Sequence, residues 1–351
     1  MNQSIALVYS KSVATEIAGM DLIRWVEMGT HLRALGYQVD LVTNRPDGLD
    51  SLAGLPVIDS RFAQWDSYHA IKGSYQHSVP LLPEHPRLIV RMCRVAAPDS
   101  QERDLSRRSE VLGHQDWIAR HARFVAVNDP LNARCWQRLY GDRQQILIVP
   151  TGCPESIPER QKSPFSAGKR IVLFCGSVTS IRVVPFLNQV ARLLADRDPN
   201  FQVHVLGRNR LHLYSESPPQ FDPKVIHLHE PVSHEAAWQY LRNADVGIAI
   251  SPSENLLECE LSKIYYYLRS GLPTVCEKSA LNSNLVEESG HGIIVGHDSP
   301  EQFAEAIIHS AELPKDLKSV RTHMANKHGW GNRAEVYVNA LKQDENRGRT
   351  E

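Results

Sequence analysis

The sequence predicts an α/β protein made of two Rossmann-like, doubly wound parallel-sheet domains. Length is the first observation, because 351 residues are enough for two such domains with full cores. The second is the alternation of short apolar runs with helical periodicity in both halves of the chain. The third is the stretch Cys153–Gly168, where Pro154, Pro158 and Pro164 stand among polar residues, as is typical of an interdomain linker.

The first half opens with a strand, a helix and a second strand. Ile5–Tyr9 is an apolar run, Asp21–Leu35 has helical periodicity that Gly36 ends, and Gln38–Thr43 is strand-like again. The later predicted elements of this half are the strands Arg87–Met92, Phe124–Val127 and Ile146–Val149 and a helix from Asp129–Pro130 to Tyr140–Gly141.

The second half repeats the alternation after the linker. Its predicted strands are Arg170–Gly176, Phe201–Gly207, Val225–His229, Val246–Ile250 and Leu272–Val275, and its first helices are Val183–Ala195 and His234–Arg242. Strands that alternate with helices in this way favour a parallel sheet with helices on both faces.

Charge, cysteine usage and hydropathy narrow the class of protein. Thirty-nine basic against forty acidic residues give no global field that would attract nucleic acid, so no nucleic-acid partner is expected. Six scattered cysteines without a CxxC pair favour a reducing compartment over a disulfide framework. No segment reaches about eighteen apolar residues, and Met1–Ser10 has no leader pattern. We expect a soluble cytoplasmic protein, with peripheral membrane contact left open and the oligomeric state undetermined.

The segment Ser251–Cys276 is the most informative part of the chain. It follows the strand-like run Val246–Ile250 and passes through a loop into a helical segment that stops at Gly271. Open α/β sheets bind ligands at loops that leave a strand and enter a helix, and the helix N-terminus offers free N–H groups to phosphate. Lys263, expected about one turn into this helix, adds a positive charge beside those groups. The segment therefore predicts a diphosphate site.

A family resemblance rests on six residues of this segment. They are Ser253, Glu258, Lys263, Tyr267, Gly271 and Pro273. Their pattern resembles the donor-site signature of GT-B glycosyltransferases, in particular the GT4-like group. The resemblance implies two domains facing across a cleft and the transfer of a sugar from a UDP- or GDP-linked donor to an acceptor hydroxyl. It implies a glycan, lipid-linked or small-molecule acceptor, a role in glycan or polysaccharide biosynthesis, and no cofactor.

The resemblance also extends to the organisation of the chain. Ala122–Gly152 is similar to the last helix–strand unit of the family's amino-terminal domain. The sequence after His328, with Trp330 and Arg333, is similar to the terminal helix that returns to that domain. We therefore expect an acceptor-side domain over 1–155, a donor-nucleotide domain over 156–328, and a returning helix with a polar tail over 329–351.

One departure from the family pattern concerns its two glutamates. Glu258 keeps the first place, where the family's Glu hydrogen-bonds sugar hydroxyls, and Tyr266 takes the second, where the family's Glu holds the donor ribose. A bacterial glucuronosyltransferase group with the GT-B fold also lacks the second Glu and keeps the Lys. Glu254 and Glu260 compete for the role of Glu258. Tyr266 shares a helix face with Ser262 at four-residue spacing, and both are predicted donor-binding residues.

Three turns complete the site that the resemblance implies. Gly176 and Ser177 form the first, and Arg182 follows at the family's Lys position, where it would contact the diphosphate as a catalytic residue with Lys263 and Glu258. Arg208 lies in the turn near the nucleotide, and Pro231–Val232 in the loop whose backbone reads the base.

On the acceptor side, Gly19 and Met20 precede the first helix and correspond to the family's glycine-rich loop. If the reaction inverts, a carboxylate or histidine of this domain must take the acceptor proton. The sequence leaves five candidates open: Asp21, His69, Asp99, His114 and Asp129. If the reaction retains, the departing diphosphate can accept the proton itself.

No metal site is expected. Asp196-Arg197-Asp198 resembles a DxD motif, but it follows a helix and precedes a strand, at the opposite edge of the sheet from the predicted site. His227 and His229 share one face of a strand without a third evident ligand, so we predict a structural role for them.

Two other functions use the same phosphate-binding elements. A sugar-nucleotide epimerase of the same fold needs several acid/base carboxylates and a histidine near the cleft, a cluster that the sequence does not assemble. A non-catalytic subunit that binds donor or a partner enzyme is the other alternative, and the Tyr266 departure keeps it open.

Overall fold

The computed structural model describes residues 4–9, 12–13, 19–72, 87–96, 105–213, 215–252 and 260–348. Its chain divides into unit 1, Met1–Gly152 with Trp330–Glu351, and unit 2, Cys153–Gly329. Each unit contains a parallel sheet with helices, which confirms the predicted α/β class. Within the described residues, no helix combines the length and apolar character needed to cross a bilayer.

Unit 1 contains an eight-stranded sheet in the order β3-β4-β2-β1-β5-β6-β7-β8. Only the β3–β4 pair is antiparallel among these described strands. The strands are β1 Ser4–Tyr9, β2 Gln38–Thr43, β3 Ser51–Leu52, β4 Leu55–Asp59, β5 Tyr68–Lys72, β6 Leu88–Arg91, β7 Phe124–Val127 and β8 Gln145–Ile148. The helices are α1 Met20–Ala34, α2 Leu105–His121, α3 Pro130–Tyr140 and α10 Trp330–Gly348.

Local sequence explains where these helices begin and end. Asp129 caps α3 by accepting hydrogen bonds from the N–H groups of Leu131 and Asn132, at 2.7 and 3.0 Å. Gly141 ends the same helix with φ 71°, a conformation that glycine adopts without strain. The sequence pattern missed β3, β4 and β5: β3 has only two residues, β4 contains Pro56 and ends in Asp59, and β5 contains His69 and Lys72, which interrupt its apolar character.

The terminal helix α10 packs against the end of the first polypeptide segment of unit 1. Trp330 is buried, and a Cβ atom at Gly152 would lie 2.6 Å from its indole ring. Arg333 donates a hydrogen bond from Nε to the carbonyl of Thr151, at 3.3 Å. The glycine is thus required by the close approach of the indole.

Unit 2 contains a six-stranded parallel sheet in the order β11-β10-β9-β12-β13-β14. The strands are β9 Arg170–Cys175, β10 Phe201–Leu206, β11 Ile226–His229, β12 Val246–Ala249, β13 Thr274–Glu277 and β14 Gly292–Val295. The helices are α4 Val183–Arg197, α5 His234–Asn243, α6 Ser262–Arg269, α7 Asn284–Ser289, α8 Pro300–Ser310 and α9 Lys318–His328. The strand order reverses at β9, so a crevice is expected beyond its carboxyl end.

The start of the predicted linker is bonded to the helices of unit 2. Arg269 donates to the carbonyls of Pro154 and Glu155, both at 2.7 Å. Arg242 donates to the carbonyl of Pro158, also at 2.7 Å. This part of the segment therefore packs within unit 2.

Three histidines stack on the neighbouring strands β10 and β11. The His204 ring lies 4.7 Å from that of His227 and 5.0 Å from that of His229, between ring centroids. Phe165 and Tyr240 pack edge-on against this stack. Burial, and to a smaller extent the two neighbouring imidazoles, lowers the pKa of His204 to about 3.

We expect this stack to make unit 2 acid-sensitive. His204 is neutral in the folded protein and takes a proton in the unfolded chain below a pH of about 6.5, so folded-state stability is lost as the pH falls from there towards 3. Between pH 7.5 and 5.5 the free energy of unfolding should fall by about 1 kcal/mol through this group. Urea unfolding of His204→Gln should show a flatter pH dependence, and the same substitution of the exposed His309, His309→Gln, is the control. An unchanged dependence in His204→Gln would contradict this assignment.

Candidate active site

Two glycines meet where the strand order reverses. Gly176 follows β9 with φ 131°, and Gly207 follows β10 with φ 146°. The Gly176 N–H donates to the carbonyl of Leu206 at 2.8 Å. A Cβ atom at Gly207 would lie 2.4 Å from the Gly176 carbonyl oxygen, so only glycine fits there. The exposed Ser177 comes next in this turn.

Lys263 reaches the same turn from α6. Its Nζ lies 4.4 Å from the ring centroid of Phe174, within cation–π range. Its Cε would be 3.6 Å from a Cβ atom placed on Gly176. Lys263 is the second residue of α6, earlier in the helix than the sequence predicts. The structure thus brings two of the predicted site residues, Gly176 and Lys263, into contact range.

Tyr267 holds α6 against the ends of two strands. Its hydroxyl accepts a hydrogen bond from the N–H of Cys175 at 2.8 Å and donates to the carbonyl of Ile248 at 3.1 Å. Burial raises the pKa of this phenol well above its usual value, so it stays protonated and able to donate. Tyr267 therefore helps to fix the position of Lys263, which lies one turn earlier in the same helix.

The start of α6 is fixed by Asn282. Its amide oxygen accepts from the N–H of Leu261 at 2.8 Å, and its amide nitrogen donates to the Leu261 carbonyl at 3.1 Å. No side chain caps this helix and its first turn contains no acid, so the N–H groups near Ser262 are suited to an anionic ligand. Glu258, Ser253 and Glu254 lie outside the described residues. Glu260, the remaining alternative acid, accepts from the Tyr265 hydroxyl at 2.5 Å.

Arg182 precedes α4, and its guanidinium forms a bidentate contact with a carboxylate of the protein itself. Its two Nη atoms bond both carboxylate oxygens of Glu277, one of them at 2.9 Å. Nη1 also donates to the Ser251 carbonyl at 2.7 Å, and Nε to Asp298 at 3.1 Å. The sequence predicts a bidentate contact of this arginine with phosphate. The structure instead supplies the compensating anion from within the protein, which favours a positioning role for Arg182.

Glu277 is the main site-forming residue that the sequence reasoning missed. Its side chain is fully buried at the end of β13. Besides Arg182 it accepts from the N–H of Ser251 at 2.8 Å and from the N–H of Asp298 at 2.9 Å. It therefore ties together the segments that follow β12, β13 and β14. The available signal was an acidic residue directly after the apolar run Thr274–Cys276.

A cavity of about 580 Å³ lies beyond the carboxyl ends of β10 and β11. Two predicted donor residues, Arg208 and Pro231, line it together with Gly207. Leu213 and Leu228 add apolar surface. The volume and the mixture of apolar wall and cationic rim suit a drug-sized ligand such as a nucleoside. Val232 follows Pro231 but does not line this cavity.

Tyr266 is buried in an aromatic cluster with α5. Its ring stacks on Trp238 at 5.3 Å and meets the His234 ring edge-on at 5.7 Å, between centroids. Its contact with the donor stays a prediction. His234 begins α5 just after the Pro231–Val232 loop. Burial lowers the pKa of its imidazole, so Tyr266, at the family's second Glu position, contacts a neutral ring.

The acceptor-side residues lie at the start of α1. Gly19 has φ 95°, caps α1 without a side-chain hydrogen bond, and has open space where a Cβ atom would be. Met20 packs partly buried on the core of unit 1. Of the candidate bases, Asp129 serves as the cap of α3 and Asp99 lies outside the described residues.

Lys72 is a further unpredicted feature of unit 1. It ends β5 with no exposed surface, and its Nζ has no hydrogen-bond partner among the described residues. The ammonium lies 5.3 Å from the Trp117 ring centroid, and burial lowers its pKa to about 7. Buried ionisable groups of this kind cluster at functional sites, so Lys72 joins the candidate proton acceptors.

In the described part of unit 2, possible ligand atoms of Glu288, His323 and His328 lie within 4.8 Å of one another. Glu288 accepts from His323 Nε2 at 3.2 Å and from the Lys327 ammonium, which lowers the pKa of the carboxyl group. None of the predicted donor residues belongs to this cluster. Asp198 follows α4 and bonds the N–H of Asn200 at 2.9 Å, in the turn before β10.

The two parallel-sheet units have the GT-B fold. Residues 169–312, within unit 2, match the family model described as Glycosyl transferases group 1, which confirms the resemblance seen in the sequence. No curated protein matches the chain in sequence.

Solved structures share the fold along nearly the whole chain. Sucrose-phosphate synthase from Thermosynechococcus elongatus is 16% identical over 97% of this chain and 99% of its own, with a TM-score of 0.71. WaaG, a glycosyltransferase involved in lipopolysaccharide biosynthesis, is 14% identical over 95% of each chain, with a TM-score of 0.62. Anabaena HepE in complex with UDP-glucose is 13% identical over 97% of this chain and 100% of its own, with a TM-score of 0.65.

Proposed function

We propose that this protein transfers a sugar from a nucleotide diphosphate donor, UDP- or GDP-linked, to an acceptor hydroxyl. The observation that carries the proposal is the meeting of Lys263 with the Gly176 turn beyond the carboxyl end of β9. A cation, an open glycine turn and the first amides of α6 together suit a diphosphate.

The chemistry follows from where charge develops. The bond between the anomeric carbon and the diphosphate oxygen breaks, the acceptor oxygen bonds to that carbon, and the acceptor hydroxyl loses its proton. Negative charge grows on the leaving diphosphate, so Lys263 and the α6 amides would stabilise the transition state more than the ground state. Arg182 and Glu277 would act by fixing the segments around this centre.

The remaining groups have proposed roles in binding. Arg208 and Pro231 line the cavity that would hold the nucleoside, and Glu258 would bond the sugar hydroxyls. The acceptor proton would pass to the diphosphate in a retaining reaction, or to a group of unit 1 such as Lys72 in an inverting one. We propose that no metal is required, since cations and helix amides supply the positive charge. The acceptor would be a glycan, a lipid-linked sugar or a small molecule in glycan or polysaccharide biosynthesis.

A panel of radiolabelled nucleotide sugars tests this function. Slow release of free sugar and nucleoside diphosphate is the result we expect in the absence of acceptor. Interconversion of the sugar without release would instead identify an epimerase of the same fold. Binding without either reaction would identify a non-catalytic subunit.

We expect Arg208→Ala to weaken nucleoside diphosphate binding by about tenfold, because a charge-assisted contact at the cavity rim is lost. The loss should be greatest at low salt, where an electrostatic contact is least screened. Isothermal calorimetry with UDP and GDP measures it. The exposed Lys224→Ala, outside the residues that line this cavity, removes the same charge as a control. Equal affinities in the two variants would remove Arg208 from the binding site.

A further inference from the structure

A second cavity of unit 2, of about 730 Å³, lies at the opposite edge of the sheet. It is lined by the segment 155–160, the last turns of α5 and α6, and one face of α9. Because α5 and α6 lead into β12 and β13, their last turns lie near the amino ends of the strands. The candidate active site is at the carboxyl ends, so the two cavities are separate.

Positive side chains dominate this cavity, which we call the basic groove. Its five cations are Arg160, Arg242, Arg269, Lys318 and Arg321. Two acids, Glu155 and Glu159, also line it, and Asp316 pairs with both Arg242 and Arg321 at 2.9 and 3.1 Å. Five cations thus face three acids, and the groove carries a surplus of positive charge.

Two of the cations are buried and already bonded to the protein. Arg242 and Arg269 are less than a tenth exposed, and both hold the carbonyls of the 154–158 segment. Burial lowers the pKa of Arg269, the positive charges of the neighbouring Arg321 and Arg242 lower it further, and Glu155 offsets part of their repulsion. Such repulsion is relieved when an anion binds. Of the other three cations, Arg160 donates to the side-chain oxygen of Asn243 at 2.9 Å, Arg321 pairs with Asp316, and Lys318 is exposed in the groove.

The first turn of α9 supplies an independent observation. Leu317 precedes the helix without a side-chain cap, and the first turn contains no acid. Instead Lys318 and Arg321 stand at this N-terminus, where the helix dipole disfavours positive charge; Asp316 compensates Arg321, and a bound anion would compensate Lys318. Thr322 and Asn326 follow Lys318 at four-residue spacing on the same face and also line the groove.

We propose that the basic groove binds a phosphate or diphosphate group of a phosphorylated molecule. Arg160, Lys318 and Arg321 would contact the phosphoryl oxygens, and the first amides of α9 and the Thr322 hydroxyl would complete the site. The buried guanidinium groups of Arg242 and Arg269 would add to the positive electrostatic potential at the site. The site does not depend on the proposed sugar transfer.

The probe is inorganic pyrophosphate, titrated by calorimetry at low salt. The titration uses the Lys263→Ala background, which weakens competition from the candidate active site. Replacing the two exposed cations in Arg160→Ala/Lys318→Ala should weaken binding by about tenfold or more, since charge-assisted contacts are lost. The matched control, Lys169→Ala/Lys224→Ala, removes the same net charge outside the residues that line the groove and should keep the affinity. Thermal unfolding checks that each variant is folded.

Equal weakening in both pairs would show a non-specific charge effect and would overturn the proposal, as would unchanged binding in the groove variant. Sedimentation with phosphatidic acid vesicles then separates the sources of the phosphate. Vesicle binding that the groove replacements abolish identifies a lipid headgroup. Pyrophosphate binding that those replacements weaken, without vesicle binding, identifies a soluble phosphorylated molecule. Either result supports the site.

Discussion

Lys263→Ala is expected to reduce turnover by about 10²- to 10³-fold, or about 3–4 kcal/mol, with the fold intact. The side chain lies beside the Gly176 turn and on the Phe174 ring, where a leaving diphosphate would develop its charge. Tyr267, which anchors α6 to β9 and β12, is untouched by the substitution. Steady-state release of nucleoside diphosphate from the donor found in the nucleotide-sugar panel measures the loss.

Two comparisons make the Lys263 result specific. Lys224→Ala removes an exposed positive charge elsewhere in unit 2 and should keep normal turnover. Lys263→Arg should recover part of the rate, because it restores charge with a different shape. A kcat close to that of the unmodified protein in Lys263→Ala would exclude Lys263 from the mechanism.

Glu277→Ala is expected to lower the free energy of unfolding by about 3–5 kcal/mol. The fully buried carboxylate bonds both Nη atoms of Arg182 and the N–H groups of Ser251 and Asp298. Removing it takes away the buried counter-charge of a largely buried guanidinium, which keeps only the Ser251 carbonyl and the exposed Asp298, and leaves two amides without their acceptor. Urea unfolding with an unchanged m-value measures the loss.

A double-mutant cycle assigns this loss to the pair. Arg182→Ala/Glu277→Ala should be less destabilised than the sum of the single variants, since the unpaired charge is absent from the double variant. The control is the exposed pair Arg170–Glu312 at 2.7 Å, where Glu312→Ala should change stability by at most about 1 kcal/mol. If Glu277→Ala has no larger effect than Glu312→Ala, Glu277 does not hold these segments together.

The sequence predicted most of the fold because its strands and helices carry clear periodicities and end at glycine or proline. Lys263 could be placed for the same reason, since it follows an apolar strand and begins a helix that stops at Gly271. The two-residue strand β3 lacks such a signal, and polar residues or proline interrupt the apolar pattern of β4 and β5.

The partners of the predicted residues could not be read from the sequence. Glu277 lies 95 positions from Arg182 along the chain, and only the parallel sheet brings their strand ends together. The enclosure of Tyr266 by Trp238 and His234 depends in the same way on how α5 and α6 pack. The amphipathic pattern shows which face of a helix is buried, whereas tertiary packing decides what that face contacts.

Hydrogen–deuterium exchange with UDP and GDP tests most directly whether the crevice of unit 2 is the donor site. We expect one of the two nucleotides to slow exchange in the amides after β9 and β10 and in the first turn of α6, around Gly176, Gly207 and Lys263. The same nucleotide should protect these amides less in Lys263→Ala. Unchanged exchange in all three segments at saturating nucleotide, or protection confined to other parts of the chain, would exclude this crevice as the donor site.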